Sequence, residues 1–102
     1  MSEAEMWLRA RVPNAPAQLL KTMIAALPAS AASIPDALAA AAAGLYNDVV
    51  DGTGGREDAL PLLAADALLT HAFQAQAELD PNGLAALADR WSARGRLGEV
   101  LE

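Results

Sequence analysis

Alanine sets the terms on which this chain can fold. Twenty-six of its 102 residues are alanine, five of them in succession from Ala39 to Ala43, and only 29 larger apolar side chains remain beside them. Alanine is the strongest intrinsic helix former but removes little apolar area from water, whereas a bulky apolar side chain contributes roughly 1.5 to 3 kcal/mol when fully buried. Such a sequence predicts helices whose backbones approach closely around a thin core. A thin core gains by closing further apolar surface against another molecule, so a homo-oligomer, most simply a homodimer, or a protein partner is the expectation.

Prolines and glycines divide the chain into about five helical segments, and no stretch alternates β-branched with polar residues. The expected fold is all-α: one compact domain over residues 1–102, a bundle of about five helices with alanine-rich packing. Ser2 followed by Glu5 has the spacing of a capping box and predicts a first helix from about Glu3 to Val12, stopped by Pro13. Leu19, Leu20, Met23, Ile24 and Leu27 recur at the three-and-four spacing of one helix face. Ser33 and Asp36 bracket Pro35 as a start signal for a third helix, in which Leu38, Leu45 and Val49 form a seam and Ala39 to Gly44 leave room for a neighbouring backbone.

A fourth segment, about Asp58 to Leu79, spreads Leu62, Ala65, Leu68, Leu69, Ala72, Phe73 and Leu79 over nearly half its circumference, which predicts a central helix covered on two sides. Asp80 and Pro81 then open a fifth, with Leu84, Leu87, Ala88 and Trp91 as its buried face and Arg94-Gly95 as its end.

The formal net charge of −6 and a pI near 4.5 oppose binding to nucleic acid or anionic lipid headgroups. Cysteine is absent, which removes disulfides, thiolate metal sites and cysteine nucleophiles together. The longest uncharged run, Thr22 to Pro35, is too short to span a bilayer and is broken by Pro28, and the first residues carry acids in place of a basic leader; a cytoplasmic location is expected. The closing Leu101-Glu102 carries no functional argument.

The stretch LYNDVVDGTGGRED, residues 45–58, is the one with the look of a ligand loop. Read as a calcium loop from Asn47 to Asp58, it offers Val49 where a side-chain oxygen is needed and the shorter Asp58 where a bidentate glutamate belongs. Read as a phosphate loop, it lacks the Gly-Lys-Ser/Thr ending and sets Glu57 and Asp58 where an anion would approach. A helix–helix turn built on Gly52, Gly54 and Gly55 fits better. His71 is the only histidine and lies beside the polar stripe Asp66, Thr70, Gln74 and Glu78, as a solvent-touching, hydrogen-bonded residue would. Gln76 falls within the apolar arc of the same helix, so it is expected either to find a partner across an interface or to cost free energy as a buried unpaired amide. Arg90, Arg94 and Arg96 gather near Trp91, a cluster suited to an anionic ligand or an acidic partner, but cations there are explained more simply as complementing a helix C-terminus. Met6, Trp7 and Met23, with Gln76, are the candidate interface residues, because adaptable methionine and large tryptophan suit protein contacts.

Residues 62–78, LLAADALLTHAFQAQAE, resemble the helix of trans-isoprenyl diphosphate synthases that carries Gly-Asp-x-Leu-Leu, with Ala65 in place of the glycine. The resemblance covers about a sixth of the chain. The family's two aspartate-rich motifs for magnesium diphosphate are absent, so no catalytic residue carries over, and what the resemblance implies is a helical, non-catalytic relative or partner subunit.

One histidine, no cysteine and no metal-ligand spacing do not assemble the convergent polar groups of an active site. The chain is therefore expected to be non-catalytic, to need no cofactor and to work through protein association. The competing expectation is a small-molecule or lipid-binding domain with a pocket beside the third helix, in which Tyr46 or His71 orients the ligand.

Overall fold

Ser2 begins the helical part of the chain as expected: its side chain accepts from the Glu5 backbone N–H at 3.1 Å. The Glu5 carboxylate, expected to reach back, is instead engaged one turn ahead by Arg9 Nε at 3.0 Å. In the computed structural model, which describes residues 2–52 and 54–92, five α-helices follow in order. They are α1 (Glu3–Arg11), α2 (Ala17–Ala26), α3 (Ile34–Val50), α4 (Ala59–Leu79) and α5 (Leu84–Ser92), with single 3-10 turns at Arg56–Asp58 and Pro81–Gly83. The fold is an all-α bundle. The expected end of α5 at Arg94-Gly95, with Arg94 and Arg96, lies outside the described residues.

Local chemistry accounts for most of the boundaries. Ser33 Oγ accepts from the Asp36 N–H at 3.2 Å, and Pro35 occupies the first turn of α3, where its missing N–H has no intrahelical partner to lose. Asp80 Oδ1 accepts from the Asn82 N–H at 3.0 Å and turns the chain between α4 and α5. α2 starts after Pro16 without a side-chain cap, so its place rests on packing.

α3 and α4 pack as a helical hairpin and carry the core. Ala39, Ala41, Ala42 and Ala43 of α3 and Ala64, Ala65, Ala72 and Ala75 of α4 are buried in one small-residue core, with Leu38 and Leu68 fully enclosed among them. Short side chains on both surfaces bring the backbones together, and the larger groups fill what is left. α2 packs on α4 and α3, α1 on α3 and α2, and α5 on α3 and α4. α4 is thus the central helix, but its apolar arc is narrower than expected: Leu62 and Leu79 are 41% and 64% exposed. Leu62 lies on the side of the hairpin that no described helix covers, and Leu79 is the last residue of its helix.

Candidate functional site

The stretch with the look of a ligand loop begins as helix and ends in a glycine turn. α3 runs through Asn47 and Val49 to Val50, so the stretch from Asn47 is helix where a ligand loop would have to begin. Gly54 adopts φ of 78°, the left-handed conformation that favours glycine. Its N–H donates to Asp58 Oδ2 at 2.7 Å, which directs that carboxylate back into its own turn. Among the described residues no three His, Asp or Glu side chains converge as a metal site.

The residues singled out from the sequence fall in three places. Trp7 and His71 meet edge to face with ring centroids 5.9 Å apart, and the Arg11 guanidinium stands 5.0 Å over the Trp7 ring. Arg11 also forms a two-pronged ion pair with Glu78, and His71 Nδ1 lies 2.9 Å from Gln74 Oε1, an amide oxygen that can only accept. These contacts join α1 to α4. His71 is half-buried and does not line the groove between α2 and α3.

Met6 is exposed, but Met23 is 1% exposed and belongs to the core, which removes it from any surface. Gln76 finds its partner inside the chain: Nε2 donates to the Asp80 carbonyl at 2.8 Å and helps close the end of α4. Its position in the apolar arc therefore needs no interface to satisfy the amide.

Tyr46 is buried, and its hydroxyl donates to Asp66 Oδ1 between α3 and α4. Burial first, then the hydrogen bond to Asp66 and its charge, push the phenol up to about 12. The hydroxyl is committed to that carboxylate.

Two further pairings are not predicted by the sequence. The first is Tyr46 with Asp66; the second is Asp36, which gathers Ser33, Arg90 and Trp91. Ser33 Oγ donates to Asp36 Oδ2 at 2.9 Å. Arg90 Nε and Nη2 at 3.1 and 2.9 Å and Trp91 Nε1 at 3.1 Å all donate to Oδ1. Partial burial raises the Asp36 pKa, but the hydrogen bonds from Trp91, Ser33 and Arg90 and the arginine's charge outweigh it and hold the carboxyl below its usual range. Arg90 is thus the partner of a specific aspartate, a role that complementing a helix end does not describe.

Two surface features remain. An open groove of about 530 Å³ runs between α2 and α3, with Ala25, Ala26, Ala41 and Leu45 as apolar walls and Lys21 and Asp48 at its rim. On the opposite side of α3 from its α2 contact is the uncovered stripe of α4: Ala59, Leu62, Leu63, Asp66, Thr70, Gln74 and Ala77 are all exposed and recur at helical spacing. Val50 follows Tyr46 by one turn and Leu62 precedes Asp66 by one turn, so the Tyr46–Asp66 bond carries these two side chains to the same edge. Val50 is 60% exposed and Leu63 56%. No helix among the described residues is long and apolar enough to cross a membrane. No protein-family model matches this chain, and no curated protein or solved structure matches it.

Proposed function

We propose that this protein is a small non-catalytic helical module that acts through protein association, with the uncovered side of the α3–α4 hairpin as its contact face and a second copy as its first partner. The observation that carries the reading is the exposure of Val50, Leu62 and Leu63 together at one edge of that hairpin, beside a core built largely of alanine. Clustered apolar side chains at a surface gain from being covered, and a helix stripe is self-complementary under a two-fold axis. Asp51 and Asp66 flank the apolar residues, so a symmetric pairing brings like charges together, and self-association tightens as salt screens them.

Light scattering on a sizing column over a range of concentration and salt tests this. The expected result is a dimer favoured by salt, which Leu63→Glu converts to a folded monomer. A monomer at every concentration and salt overturns the second-copy reading, and a dimer that salt weakens overturns the pairing that brings Asp51 and Asp66 of the two copies together.

The groove between α2 and α3 supports a second reading, a small-molecule or lipid site beside the alanine helix. In that case Lys21 and Asp48 stand at the rim, while Tyr46 and His71 lie elsewhere. Copurified ligand in native mass spectrometry, lost on filling the groove with Ala41→Leu, supports it; a bare protein mass counts against it.

A further inference from the structure

We propose that α5 is a releasable arm, pinned to the first turn of α3 at its far end by the single carboxylate of Asp36. Three donors from α5 converge on one oxygen: Arg90 Nε at 3.1 Å, Arg90 Nη2 at 2.9 Å and Trp91 Nε1 at 3.1 Å all reach Oδ1. The other oxygen is engaged by Ser33 Oγ at 2.9 Å, so the first turn of α3 fixes the carboxylate in the orientation that presents Oδ1 to α5. Hydrogen bonds to an ionised group are the strong ones, and here three depend on one atom.

The apolar grip of α5 is confined mainly to Leu87 and to Trp91, which packs half-buried against the core. From Leu84 to Trp91 only Leu87 is fully buried; Ala85, Ala86 and Asp89 are exposed and the remainder are half-buried. Beside Arg90 and Trp91 the bundle is also incompletely filled: an open depression of about 340 Å³ lies there, walled by Pro28, Ala31, Ala32 and Ala40.

The connection to α4 is closed without α5. The Asp80 N–H donates to the Gln76 carbonyl at 2.8 Å, Gln76 Nε2 to the Asp80 carbonyl at 2.8 Å, and the Gly83 N–H to the same carbonyl at 3.0 Å. All of these bonds lie on the α4 side of Leu84. α5 can therefore leave as a unit with α4 and its cap intact, exposing Leu87 and Trp91. An element with a thin apolar contact, a few dominant polar bonds and a self-sufficient hinge is a local opening unit, with an opening free energy below that of global unfolding.

Hydrogen exchange read by mass spectrometry on the full chain tests this with Asp36→Asn and Arg90→Gln. The amides of residues 84–92 are expected to exchange roughly tenfold faster or more in both variants, while those of α3 and α4 stay within about twofold of the parent. Because Asp36 also favours the N-terminus of α3, Arg90→Gln serves as the variant that leaves that turn untouched. Unchanged protection of α5 in Arg90→Gln overturns the proposal. So does a loss of protection shared equally by α4 and α5, which would make α5 an inseparable part of the bundle.

Discussion

Gly44 sits in the middle of α3 yet serves no close approach. A Cβ built on it meets nothing within 4 Å, and the residue opens on the groove between α2 and α3. Its helical backbone carries the entropic penalty of glycine without a steric return, so Gly44→Ala is expected to stabilise the fold by about 0.5 to 1 kcal/mol in urea denaturation. Gly83 is the contrasting case. There a Cβ would collide with Gln76 Nε2, so Gly83→Ala displaces that amide from the Asp80 carbonyl and is expected to cost about 1 kcal/mol in the same measurement. The sequence places both residues on a helix or beside one, but the difference between them comes from the neighbour each faces. Met23 shows the same limit: three-and-four spacing identifies the inward face of α2, while whether that face meets core or partner depends on helices distant in sequence.

The helices themselves were legible because their ends are written in short-range chemistry. Ser2, the Ser33–Pro35–Asp36 start and the Asp80–Pro81 turn act within three residues of the boundary they set. The Asp36 contact with Arg90 and Trp91 was not legible, since it joins positions 54 and 55 residues apart, and a lone aspartate in the first turn of a helix is already explained by the helix dipole. The alanine run predicts a close-packing surface, and on α3 its two sides differ. Ala42 has no exposed area and faces α4, whereas Ala40 is half-buried beside the depression near Trp91. Ala42→Leu is expected to force the two helices apart and cost about 1 to 3 kcal/mol, with Ala40→Leu close to neutral because its added carbons enter open space. Thermal unfolding of the two variants side by side distinguishes a packed seam from a merely alanine-rich helix.

At the scale of the whole molecule, the Tyr46–Asp66 bond links stability to alkaline pH. The phenol, ordinarily near 10.0, is raised to about 12 in the fold, so the folded chain holds its proton more tightly than the unfolded chain does. That contribution is complete below pH 10 and is lost as pH rises from 10 through 12. Denaturation midpoints are expected to fall more steeply over this window in the parent than in Tyr46→Phe, and Asp66→Asn should lower the phenol's ionisation without returning it fully to 10.0, because burial remains. The α3–α4 hairpin also has a temporal consequence. Its facing alanines supply little enclosure until both helices exist, and the second helix ends only at Leu79. During synthesis, then, α1, α2 and α3 must all emerge before the seam that holds them can close. Because α3 and α4 are sequence neighbours joined by a short turn, closure of that seam is a fast, local event once α4 is complete, after which the helices on either flank have a surface on which to settle.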